Sequence, residues 1–224
     1  MSAPRRICVI GNSSVGAVRA ALNNRPAPER YAFSFFASAG VNFDKIDLSD
    51  DLLVGADVDS GGDRDLSGYD AFVLHGRLPP SAEAMAFEAT LADHRYSVAV
   101  QALARRDWRE RHKSWTLGLA LSERYGKPVL AITRNVFAGE SAGDVDSRRR
   151  ADATLAHMLA PLRFVPLPDG LFEDDGRVRR AFYANPVSVA AREGRGSAPD
   201  DWHYNREAGG LILDRLLQAL EAEG

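Results

Sequence analysis

Four short apolar runs, each ending in small or polar residues, constrain the fold of this chain more than any other feature. They are Ile7-Cys8-Val9-Ile10, Tyr31 to Phe36, Ala71-Phe72-Val73-Leu74 and Pro128 to Ile132. A continuous apolar run of this length suits a strand buried on both faces of a parallel sheet. Stretches of helical period lie between them. Val15, Val18, Ala21 and Leu22 make one stripe of a helix from Val15 to Leu22. Ser81 to Leu91 reads as a helix with Ser81 at its N-cap. One longer helix is predicted from about Val98 to Tyr125, stopped by Gly126 and Pro128. Arg148 to Leu159 is helical, Arg163 to Pro166 is a short fifth strand, and Arg206 to Ala222 is a final amphipathic helix. Val41 to Gly68 and residues 167–200 read as loop-rich. Strands alternating with helices predict an α/β fold, a three-layer α/β/α sandwich with a central, mostly parallel sheet.

Composition narrows the function. The chain has 224 residues, and Lys+Arg 28 minus Asp+Glu 31 gives a net charge of −3. No overall basic footprint for nucleic acid or an anionic membrane follows from that balance. One cysteine excludes an internal disulfide framework and every multi-cysteine metal site. The apolar run Ile7 to Ile10 is too short for a secretory leader, and no stretch is long enough for a membrane span. The expectation is a cytoplasmic protein of one domain, residues 1–224, with no metal and no cofactor. It would have no nucleic-acid or membrane partner.

In parallel sheets the ligand site lies at the carboxyl ends of the strands. The loops there are Gly11-Asn12-Ser13-Ser14, Gly40, His75-Gly76-Arg77 and Thr133-Arg134-Asn135. Gly11 and Gly16 have the GxxxxG spacing of a phosphate loop, but Ala17 and Val18 stand where Lys and Ser or Thr would contact phosphate and magnesium. A nucleotide-binding protein is therefore the weakest of three functional readings. A serine at a strand-to-helix turn presents its hydroxyl at the mouth of the sheet, beside unpaired helix N–H groups. That suits a nucleophile whose intermediate carries an oxyanion, and it equally suits a plain N-cap.

The second signal is Asp200-Asp201-Trp202-His203-Tyr204-Asn205, just before the last helix. A carboxylate three residues before a histidine can fold back onto its Nδ1–H in a turn and leave Nε2 free as a base. The bland alternative is a helix-start cluster in which Asp201 or Asn205 caps and His203 is exposed.

With Gly11-Asn12-Ser13 after the first strand and Asp200-x-x-His203 before the final helix, the chain resembles the SGNH, or GDSL-like, hydrolase superfamily over roughly residues 5–222. The resemblance implies an SGNH or flavodoxin-like sandwich and a serine hydrolase that cleaves a carboxylic ester through an acyl-enzyme. O-acyl groups on a carbohydrate are one such substrate class. It implies Ser13 as nucleophile, with Ser14 the runner-up, His203 as general base and then acid, and Asp200 as the orienting carboxylate. The oxyanion hole would be built from Ser13, Gly40 and Gly76. Asn12 replaces the usual Asp of the first block. The third block departs further, because Leu78 stands where the family carries an asparagine. Losing one oxyanion donor typically costs about 10²–10³ in rate. Either Asn42 or Asn135 reaches the site, or the chain is a catalytically impaired binding or accessory protein. An O-acyltransferase is a close variant. Arg77, Arg134 and Asn135 are candidate substrate-binding residues, with a surface ion pair the plain alternative for Arg134.

Other features carry no function at this level. Arg105 to Lys113 is a basic run in which Trp108 and Trp115 should pack inward. Cys8 reads as a small buried residue. His75 either lines the mouth of the sheet or is satisfied by the backbone. Arg148-Arg149-Arg150 puts positive charge at a helix start, against the helix dipole, with no evident reason.

Overall fold

A computed structural model of the chain describes residues 3–25, 28–38, 40–58, 64–137, 140–184 and 203–223. The strands are β1 (Arg5–Gly11), β2 (Tyr31–Ala37), β3 (Asp47–Ser49), β4 (Leu52–Val54), β5 (Asp57–Val58), β6 (Ala71–Leu78), β7 (Val129–Thr133) and β8 (Arg163–Val165). The helices are α1 (Val15–Asn24), α2 (Ser81–Asp93), α3 (Val98–Glu110), α4 (Lys113–Tyr125), α5 (Val145–Leu159) and α6 (Arg206–Glu221). The central sheet runs in the order β5-β2-β1-β6-β7-β8, and all neighbours are parallel except β5 on the edge. The fold is α/β, and the predicted three-layer sandwich is the one observed.

Side-chain alternation along β1 builds two cores. Ile7 and Val9 point to the layer containing Val18 of α1 and Ile212 and Leu216 of α6. Cys8 and Ile10 point to the opposite layer, with Leu117 and Leu121 of α4 and Leu155 of α5. Successive strand residues face opposite sides, so a strand covered on both faces must be apolar throughout. Cys8 is fully buried, as its place in the first run implies.

Three local expectations are corrected. Ser81 is not the cap of α2: Pro80 holds that place, and the Ser81 hydroxyl donates to Asp152 Oδ1 at 2.5 Å. The single helix from Val98 to Tyr125 is two helices, because His112 is extended (φ −101°, ψ 106°) and caps α4. The break lets Trp108 stack on Phe87 of α2, with ring centroids 5.8 Å apart, while Trp115 packs beneath Arg109. Both tryptophans are buried, as expected. The helix expected from Arg148 starts earlier, at Val145, where the Asp144 side chain accepts from Ser147 N.

Helices α1 and α6 approach so closely that a Cβ on Gly209 would lie 2.0 Å from the Ala17 carbonyl oxygen. Asn205 caps α6 by accepting from the N–H groups of Glu207 and Ala208. Each of these helices follows one of the loops singled out by sequence. Their contact therefore fixes how the two loops meet.

Candidate active site

Sheet order reverses between β1 and β6, since the chain moves outward from β1 to β2 and then returns past β1 to β6. Ligands of such sheets bind at that switch point, outside the carboxyl ends of the strands. The two loops there are tied together by Asn12. Its Nδ2 donates to the Gly76 carbonyl at 3.0 Å, and its Oδ1 accepts from Ser14 N at 2.9 Å. Gly76 has φ +106°, and a Cβ there would meet Asn12 Oδ1 at 2.2 Å and Ser14 Oγ at 2.9 Å. Only glycine meets both conditions. Gly11 is glycine for a packing reason, because a Cβ would lie 2.3 Å from the His75 carbonyl oxygen. The phosphate-loop reading loses further ground here, since Ser14 N–H is already taken by Asn12.

The same arrangement separates the two serines. Ser13 is exposed, whereas Ser14 is buried and wedged against Gly76. The exposed hydroxyl is the one a substrate can reach.

His203 is held from behind. Its carbonyl accepts from Ala184 N at 2.7 Å, and Tyr183 and Tyr204 form an isolated antiparallel bridge. The Tyr204 hydroxyl accepts from Val136 N at 2.9 Å, and the Tyr183 hydroxyl donates to the Val136 carbonyl at 3.1 Å. Burial pushes the Tyr204 phenol well up, so it stays protonated. These two tyrosines, to which the sequence assigned no role, pin the His203 turn to the loop after β7. The signal was present in Tyr204, which directly follows the histidine.

The result is a cleft of about 830 Å³ whose wall includes Asn12, Ser13, Ser14, Gly76, Arg77, Arg134, Asn135 and His203. Leu78 is buried and lines it too. Arg111, His112 and Lys113 form another part of the wall, so the end of the basic run borders the cleft. Arg77 Nη2 donates to both Asp44 oxygens, at 3.0 and 3.1 Å. Asp44 belongs to the 3₁₀ turn Gly40–Lys45, which Gly40 opens after β2. Arg134 is gripped by Glu140 through two hydrogen bonds and lies over the Phe137 ring, 4.3 Å from its centroid. The surface-pair alternative for Arg134 is thus the arrangement found. Asn135 is buried, whereas Asn42 is exposed. Asp200 lies outside the described residues, as do Asp201 and Trp202.

His75 is buried beneath this floor at 2% exposure, and among the described residues neither ring nitrogen has a partner in hydrogen-bonding geometry, the backbone of Thr133 and Ile132 being the nearest polar groups that act on it. Burial pushes its pKa down to about 4, offset in part by the nearby backbone of Thr133 and Ile132. An imidazole neutral in the fold but protonated when unfolded favours unfolding as pH drops. Stability is therefore complete above the ordinary imidazole range and is lost as pH falls toward about 4. The loss from this group is roughly 3 kcal/mol for a shift of this size. Urea titrations of wild type and His75→Leu between pH 7 and pH 4 check this. The variant should lose that part of the slope; parallel curves would contradict it.

No family model matches the sequence, and no curated protein matches it. Among solved structures, the chain is similar to the lipase Lip_vut3 from a goat rumen metagenome, at 10% identity and a TM-score of 0.42. That match covers 96% of this chain and 97% of the lipase. No helix among the described residues is long and apolar enough to cross a membrane.

Proposed function

We propose that the chain is a serine hydrolase that cleaves a carboxylic ester through an acyl-enzyme, O-acyl groups on a carbohydrate being one substrate class open to it. The observation that carries this reading is that Ser13 and His203, from opposite ends of the sequence, line one cleft at the switch point of the sheet. Ser13 Oγ attacks the ester carbonyl carbon while His203 takes its proton. The tetrahedral oxyanion collapses, the ester C–O bond breaks, and His203 returns the proton to the departing alcohol. Water then repeats the sequence on the acyl-enzyme and releases the acid. A sugar hydroxyl in place of water would make the same site an acyltransferase. The role of orienting carboxylate is the one the resemblance gives to Asp200, which lies outside the described residues.

The oxyanion would be met by the N–H groups of Ser13, Gly40 and Gly76. Asn135 supplies the amide that the third block lacks, since it lines the cleft while Leu78 occupies the family's position. Arg77 and Arg134, each already held by a carboxylate, act as fixed hydrogen-bond donors at the rim. The test is hydrolysis of a short-chain aryl ester during titration with a fluorophosphonate. Activity should fall in step with labelling and reach zero at one label per chain. Hydrolysis that survives full labelling overturns the serine-nucleophile reading, and no hydrolysis with no labelling overturns it in favour of a binding protein.

A further inference from the structure

The chain carries a net charge of −3, yet the cleft shows the opposite sign. Among the described residues its wall holds Arg77, Arg111, Lys113 and Arg134 against Asp44 and Glu83. Arg77 is matched by Asp44 within the wall, and Glu83 lies 4.0 Å from His112 Nε2. Arg134 and Lys113 pair with Glu140 and Asp47, neither of which lines the cleft. What the cleft meets at those two places is therefore the cation. A cleft lined mainly by one sign of charge focuses its field on an entering ligand.

Arg111 differs from the other three cations. It caps the C-terminal end of α3, and its Nε donates to the Asp107 carbonyl at 3.2 Å. Among the described residues it has no carboxylate partner, and Nη1 and Nη2 make no hydrogen bond. The helix end accounts for the anchored Nε. It does not account for the two idle donors, which present the fork that grips a carboxylate or phosphate in two parallel hydrogen bonds. Lys113, two residues on, is the first residue of α4, where the helix dipole disfavours a cation. Both residues line the same cleft as Ser13, Gly76 and His203. We propose that Arg111, with Lys113 beside it, holds a negatively charged group of the substrate, a carboxylate or a phosphate, so that the esters hydrolysed at Ser13 are anionic ones. The assignment rests on the hydrolase reading above and names the substrate class of that site.

The test uses aryl esters in matched pairs, one member ending in a carboxylate and the other in a carboxamide of the same length. One pair carries the group on the acyl chain and the other on the phenol; a further ester replaces the carboxylate by a phosphate. Wild type should favour an anionic member over its carboxamide by about fivefold or more in kcat/KM at low salt, as two solvent-facing ion pairs predict. The favoured pair tells which side of the ester bears the anion, and the phosphate ester separates phosphate from carboxylate recognition. Raising salt from about 0.01 M to about 1 M shortens the screening length from about 30 Å to about 3 Å, and should bring the ratio close to one. Arg111→Gln combined with Lys113→Gln should do the same at low salt. Arg215→Gln, which removes an exposed cation from α6, should leave the ratio as it is. Each ratio is read within one protein, so partial unfolding of a variant does not move it. Wild type that hydrolyses these esters through Ser13 with ratios near one for every anion overturns the anion site alone. A preference that survives the double variant does the same. Absence of any Ser13-dependent hydrolysis overturns both this assignment and the hydrolase reading.

Discussion

Ser13→Ala is expected to lower kcat/KM for a short aryl ester by about 10⁴-fold or more, the scale on which loss of a serine nucleophile acts. The residual rate would come from oxyanion donors and binding alone. His203→Ala should cost a comparable factor, and the double variant little more, because nucleophile and base act as one unit. Ser14→Ala should cost less than tenfold. Its amide is bound by the Asn12 side chain and its hydroxyl is wedged against Gly76, so it is placed to shape the loop and not to attack. If Ser14→Ala is the crippled variant and Ser13→Ala is not, the assignment of the nucleophile reverses.

The largest effect on stability is expected at a glycine. Gly209→Ala adds a methyl group where the Ala17 carbonyl oxygen is 2.0 Å away and the Ala17 carbonyl carbon 2.3 Å away. Both are backbone atoms, so α1 and α6 must separate. Overpacking typically costs about 1–3 kcal/mol, and backbone displacement puts this case at the upper end. Because α1 follows Ser13 and α6 follows His203, the same separation should lower hydrolysis beyond the fraction unfolded. Gly210 is the control. A Cβ there meets nothing within 4 Å, so Gly210→Ala should stabilise the helix by roughly 0.5–1 kcal/mol. Denaturant unfolding of the two variants checks both signs. Gly209→Ala with wild-type stability would show that the helix contact is not what sets the distance between the loops.

The sheet was readable because its strands are buried on both faces, which makes Ile7–Ile10 and Ala71–Leu74 apolar without interruption. The break at His112 was not readable, because two helices joined by one extended residue keep the same apolar spacing as a single helix. Ser13 and His203 were legible from their places after a strand and before a helix, whereas Gly76, read as following its strand, lies inside β6 at the irregularity between His75 and Leu78. What holds them was not legible. The Asn12 bridge needs the β1 and β6 loops side by side, and the Tyr183 and Tyr204 hydroxyls act on Val136, far away in sequence. The arginine run at the start of α5 made no sense locally, since its partner Asp169 lies beyond β8. Gly209 was hidden in the amphipathic stripe of α6, where sequence alone gives a glycine only its helix-propensity cost.

In the proposed reaction His203 activates Ser13. Peptide mapping by mass spectrometry after fluorophosphonate treatment tests it most directly. A single adduct on Ser13 is expected in the wild-type protein, and its loss in folded His203→Ala. An adduct on another residue, or equal labelling of Ser13 with and without His203, would contradict it.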